Sequence, residues 1–180
     1  MNQPNFDINE LLATPTSSWH KKIAADLISE IERHLVEVGT IPEMRRFLAV
    51  KGYRELHQRI EREIEGKKDS DALRAMAYAM RNYSLERPGL SAATFRDPVV
   101  DGPEWLEAGS KLARTVSEVF SQLGLKGEQV QHALRVLRSL IRGFVIHEMA
   151  ASYLDSLEYE RSYELAIEIF IQGLSALNPK

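Results

Sequence analysis

Apolar residues recur along this chain at helical spacing, and no segment shows a convincing run of strict alternation. The densest stretch runs from Gly127 to Leu177. Val130, Leu134, Leu137, Ile141, Phe144, Val145 and Met149 form one stripe there, and Tyr163, Ile167, Phe170, Leu174 and Leu177 form a second. Leu140, Ile146, Ile169 and Ile171 widen both stripes. A helix apolar on more than one face must be covered on several sides, by its own domain, a ligand or a partner chain. The pattern predicts two long helices joined around Asp155–Leu157.

Upstream, Ile23, Leu27, Ile28, Ile31, Leu35 and Val38 predict a helix over about 18–38, stopped by Gly39. Thr40, Pro42 and Glu43 have the spacing of a capping box with proline in the first turn, so a second helix is predicted from there to about Gly66. Asp69 or Ser70 caps a third, with Leu73, Met76, Ala77, Met80 and Tyr83 on one face and Pro88-Gly89 as its end. Residues 90–97 predict a short helix or turn, and Asp97–Pro103 a loop. Pro103 opens a fourth long helix ending at Gly124, with Leu106, Leu112, Val116, Val119, Phe120 and Leu123 inward. The sum is an all-α fold.

Composition narrows the function classes. With 44% apolar and 27% charged residues in 180, the chain reads as a soluble globular protein with one main core and a small N-terminal appendage. A net charge of −3 argues against coating nucleic acid by charge alone, and the absence of cysteine removes disulfides, thiolate metal sites and cysteine nucleophiles. Residues 1–18 are polar and turn-rich, without the basic and apolar runs of a signal peptide, and no window is apolar enough for a membrane span. A cytoplasmic location is the default expectation. No phosphate loop, nucleophile elbow or HExxH motif is present, so no enzyme activity and no cofactor are expected. The five histidines show no ligand spacing, so no metal site is expected either.

Certain short motifs, in their order, resemble a known family. They are Gly52-Tyr53-Arg54-Glu55-Leu56, Asp71-Ala72-Leu73, Arg87-Pro88-Gly89-Leu90, Arg142-Gly143-Phe144 with Glu148, and Gly173-Leu174. Together, over about Ile41 to Leu177, they are similar to the C-terminal ligand-binding and dimerisation domain of tetracycline-repressor-type (TetR-family) transcriptional regulators. The resemblance implies a TetR-like helical bundle whose last two helices dimerise. It divides the chain into a short N-terminal helical region, 1–50, with an atypical or incomplete helix-turn-helix, and an effector-binding and dimerisation domain, 51–180. Only one good helix precedes Pro42, where the family normally has a three-helix DNA-binding unit.

Site residues follow from the resemblance and the residue types together. An effector pocket is expected around Met76, Met80, Tyr83, Phe95, Trp105, Leu137, Phe144, His147 and Glu148, since methionine and aromatic rings adapt to varied apolar ligands. The same residues also fit an ordinary helical core, and His147 and Glu148 also fit a solvated or backbone-bonded pair. A homodimer interface is expected at Leu134, Arg138, Ile141, Val145, Tyr163, Ile167, Phe170 and Leu174, as a four-helix bundle across a two-fold axis. The alternative is that both helices are covered within one chain. Arg45, Arg46, Lys51 and Arg54 are candidate DNA-backbone contacts or a solvated helix face. Residues 1–68 hold 11 basic and 11 acidic side chains, a weak phosphate footprint. The expected function is a homodimeric regulator that senses a small molecule, which weakens DNA binding by favouring one arrangement of the N-terminal units. The runner-up is a ligand-binding or interaction dimer of the same fold without operator binding.

Overall fold

The computed structural model describes residues 17–34, 40–94, 102–150 and 158–177. Among them it is all helix: α1 Ser17–His34, α2 Ile41–Ile64, α3 Asp69–Glu86, α4 Pro88–Thr94, α5 Pro103–Gln122, α6 Glu128–Ala150, α7 Tyr159–Gly173, and a closing 3-10 turn Leu174–Leu177. The all-α expectation holds. Phe95 and the joint around Asp155–Leu157 lie outside the described residues, as do Leu35, Val38 and Gly39.

Local chemistry accounts for the helix ends. Thr40 Oγ1 accepts from the Glu43 N–H at 3.4 Å and donates to Glu43 Oε2 at 2.7 Å, which closes the predicted capping box at the start of α2. Pro88 stops α3 and opens α4, because a proline suits a first turn and forbids continuation of the preceding helix. Helix α2 runs unbroken through residue 50, where the sequence reading places a domain division.

Helix α3 is the axis of the core. Its Leu73, Met76 and Ala77 are fully buried, against Ile60 of α2, Val119 and Phe120 of α5, Ala133 and Leu137 of α6, and Tyr163 and Ile167 of α7. Each large side chain so buried contributes about 1.5–3 kcal/mol. Phe120 meets Phe170 edge-on, with ring centroids 6.5 Å apart. Polar ties cross the same seams: Tyr163 donates its hydroxyl to the Ala77 carbonyl at 2.7 Å, and Arg74 bridges to Glu168 at 2.6 Å.

Helix α1 docks on α4 and α6. A Cβ at Gly89 would lie 2.8 Å from the Ile23 carbonyl oxygen and 2.9 Å from the Leu27 nitrogen, so backbone packs on backbone there. Main chain cannot swing aside as a side chain does. Gly89→Ala is therefore expected to cost about 1–3 kcal/mol, as overpacking does, and to expose α1 first. A lowered Tm with faster proteolytic removal of α1 would be the signature; a variant with unchanged Tm would mean α1 is not packed on α4.

Candidate functional site

A cavity of about 360 Å³ opens between α2, α3, α5 and α6, with the end of α4 at its side. Tyr53 and Leu56 come from α2, Met80 from α3, Thr94 from α4, Leu134 and Arg138 from α6. Helix α5 supplies the longest wall, from Trp105 to Val116, and it includes Gly109. A Cβ at Gly109 would touch nothing, so this glycine leaves room that the protomer's packing does not need. The Tyr53 and Trp105 rings meet edge-on at 6.3 Å. Trp105 Nε1 is shut from solvent and has no hydrogen-bond acceptor among the described residues.

Helix α4 connects this cavity to α1. At its C-terminal end the Tyr53 hydroxyl donates to the Thr94 carbonyl at 2.9 Å, and the Thr94 side chain faces the cavity. Halfway along, a Cβ on Gly52 would fall 2.7 Å from the Leu90 carbonyl oxygen, so α2 and α4 also touch through their backbones. At its N-terminal end Asp26 of α1 accepts from the Gly89 and Leu90 N–H groups at 2.9 and 3.2 Å. A carboxylate there satisfies free amides and faces the positive end of the short helix.

Arg87, just before α4, gathers the surrounding carboxylates. It donates to Asp26 at 3.2 Å, to Glu55 at 2.8 Å and to Glu30, whose side chain is fully buried. Lys51 completes the cluster, 3.0 Å from Glu30 and 3.2 Å from Glu55. Burial pushes the Glu30 carboxyl up, but Lys51 and Arg87 outweigh it, so this acid sits below its ordinary value of 4.5. A lowered folded-state value means that the stabilisation is complete above 4.5 and is lost as the pH falls through the folded value. Glu86 and Glu168 are lowered in the same way, by hydrogen bonds from Arg59 and Arg74. Thermal stability is therefore expected to be flat from neutral pH to about 5 and to fall below 4.5, a fall that melts across this range will register and that Glu30→Gln should blunt.

The structure redistributes the residues expected from the sequence. Of the nine expected in a pocket, Met80 and Trp105 line the cavity. Met76 and Leu137 are sealed in the core, and Tyr83 is buried with its hydroxyl donated to the Gly52 carbonyl at 3.3 Å. Phe144 packs on Tyr163 at 5.4 Å, on the α7 side of α6. His147 is exposed, and Glu148 holds the buried Arg81 at 3.0 Å. Leu134 and Arg138, expected at a dimer face, line the cavity instead.

Ile141, Val145, Tyr163, Ile167, Phe170 and Leu174 also need correcting as interface residues, because all six are buried within the single chain. Their stripes were picked by bulk, and the bulkiest stripe of each helix faces α3. The large apolar groups of α6 and α7 that stay exposed, among the described residues, are Val136 at 54% and Leu165 and Ile169 at 47% and 69%. Half-buried Leu140 and Gly143 continue the Val136 row at helical spacing. A Cβ at Gly143 or Gly173 would meet nothing.

Among the basic candidates, Arg45 and Arg54 are exposed. Lys51 is held in the Glu30 and Glu55 cluster, and Arg46 is half-buried against Gly102 at the start of α5. The open hollow of about 570 Å³ beside them carries Arg46, Lys51 and Arg54 but also Glu43, Glu55 and Glu104, a balanced set with no excess for phosphate. Among the described residues no cluster of three acids or histidines is placed for a metal, and no helix is long and apolar enough to cross a membrane.

The family model described as "Tetracyclin repressor-like, C-terminal domain" matches residues 73–170, from α3 to α7. The chain belongs to the TetR family of transcriptional regulators. An uncharacterized HTH-type transcriptional regulator of Mycobacterium tuberculosis is 33% identical over 113 residues, 62% of this chain and 52% of that protein. A second, from Bacillus subtilis, is 23% identical over 138 residues, 76% of this chain and 71% of its own length. The alignment thus spans about half the length of the first relative. In this TetR-family chain the matched segment contains most of the cavity wall and the exposed α6–α7 face, but not Tyr53 or Leu56.

Proposed function

We propose that this chain is a homodimeric TetR-family repressor whose 51–180 region binds a small effector and whose 1–50 region carries the response toward DNA, with the division running through α2. The observation that carries this reading is α4: one short helix lines the cavity with Thr94 and is capped by Asp26 of α1 at its other end. A ligand that binds better to one position of α4 shifts α1 with it, and only such differential affinity moves the equilibrium. The dimer forms through Val136, Leu140, Leu165 and Ile169, where Gly143 and Gly173 let a second backbone approach closely.

Gly109→Leu tests the effector part. It fills the cavity while replacing a helix glycine that costs roughly 1 kcal/mol relative to alanine, so Tm is expected to hold or rise. Ligand-induced stabilisation should vanish in this variant; ligand shifts as large as in the wild type would place the effector elsewhere. Gel shifts with the gene's own upstream DNA at low salt test the DNA part, and no shift at micromolar protein would reject direct repression. The second reading, a ligand-binding dimer without operator binding, draws on Lys51 being held by Glu30 and Glu55 inside the fold.

A further inference from the structure

We infer, building on the effector-site reading above, that the cavity takes an uncharged, mostly apolar molecule that presents one carbonyl acceptor, a ketone or an ester, to Trp105. The lining holds no acid, and its one cation, Arg138, already has an interaction partner within the chain. An ion of either sign would therefore shed its water here without gaining a counter-charge. The hydroxyls of Tyr53 and Thr94 have spent their protons on the Thr94 and Ser91 carbonyls, at 2.9 and 2.7 Å. Trp105 Nε1 differs from them, being shut from water with no acceptor among the described residues. A buried donor without a partner is costly and gains most from an incoming acceptor.

Helix α5 leaves room for that acceptor. Trp105 and Gly109 stand one turn apart on the same face of the helix, and a Cβ at Gly109 would meet nothing. With no side chain at 109, the indole has space to turn its N–H toward a molecule lying along α5. A carbonyl oxygen supplies the acceptor without bringing a donor or a charge that the walls would have to satisfy. The carbon body then rests on Leu56, Met80, Leu112, Val116 and Leu134. The volume of about 360 Å³ holds roughly a dozen non-hydrogen atoms at ~30 Å³ each.

Four probes of nearly one shape and the same number of non-hydrogen atoms are titrated calorimetrically into the whole chain, below their solubility limits. They are 4-phenylbutan-2-one, its hydrocarbon counterpart 3-methylbutylbenzene, the anion 3-phenylpropanoate and the cation 4-phenylbutan-2-amine. The ketone is expected to bind at least about tenfold tighter than either ion. Trp105→Phe keeps an aromatic ring against Tyr53 and deletes the donor. It should weaken the ketone about tenfold, as loss of a buried hydrogen bond does, and leave the hydrocarbon within about twofold of the wild type. If either ion matches the ketone, or if Trp105→Phe shifts ketone and hydrocarbon alike or shifts neither, the inference is overturned while the cavity stands as an apolar site. Absence of binding by all four, or binding to Gly109→Leu equal to that of the wild type, overturns the effector site itself and the inference with it.

Discussion

Arg87→Ala is expected to lower stability by roughly 2–4 kcal/mol, which for a chain of this size is a fall in Tm of roughly 5–15 °C. The alanine takes a cation from three carboxylates at once. All three lose their shared guanidinium: fully buried Glu30 keeps Lys51 and Arg33, Glu55 keeps Lys51, and Asp26 keeps the Gly89 and Leu90 N–H groups. Removing one partner from a wholly buried pair costs about 3–5 kcal/mol. Arg87 and its exposed-side partners are 16–29% accessible, so water recovers part of that and the smaller range applies. Arg87→Lys should recover only part of the loss, since one ammonium cannot span acids on α1 and α2 as the guanidinium fork does. Urea and thermal unfolding measure all of this. A loss below about 0.5 kcal/mol would show that the cluster behaves as a solvated surface network.

That cluster was invisible in the sequence. Arg87 and Glu55 stood out only as parts of short motifs, Lys51 read as a DNA contact or solvated helix face, and Asp26 and Glu30 carried no signal at all. Helical periodicity says which face is polar, but not that two polar faces will meet. The helices themselves were legible, because capping signals such as Thr40 with Glu43, and proline or glycine stops such as Pro88 and Gly124, act within a few residues. Residues of the cavity were read less well. Met80 and Trp105 could be picked out by type, but Gly109, Thr94 and Tyr53 line it through a crossing of helices that brings Tyr53 onto Thr94, 41 residues further along the chain. The burial of the bulky rows was missed for a plainer reason: both α6 and α7 carry two apolar rows, and the row with the larger side chains was taken to point outward although burial of Tyr163 and Phe170 against α3 removes more surface from water.

Ile169→Arg is expected to convert the proposed dimer to a monomer without unfolding it. Ile169 is 69% exposed in the single chain and makes little of the protomer's own core, so charge there costs the fold little. Across a two-fold axis the same residue appears twice. A central interface position is worth about 2 kcal/mol or more, and its doubling makes about 4 kcal/mol, three orders of magnitude in the dissociation constant. Two arginines placed near the axis add repulsion to the lost apolar contact. Light scattering at micromolar concentration should fall from twice 20.5 kDa to 20.5 kDa, with the thermal melt of the monomeric variant dependent no longer on protein concentration. Tyr163→Ala supplies the contrast: it empties a fully buried site, so it should lower Tm steeply while the surviving folded protein remains dimeric. A dimer that persists in Ile169→Arg at micromolar protein would move the interface away from the Val136 and Ile169 face, and a monomeric wild type would dispose of the dimer altogether.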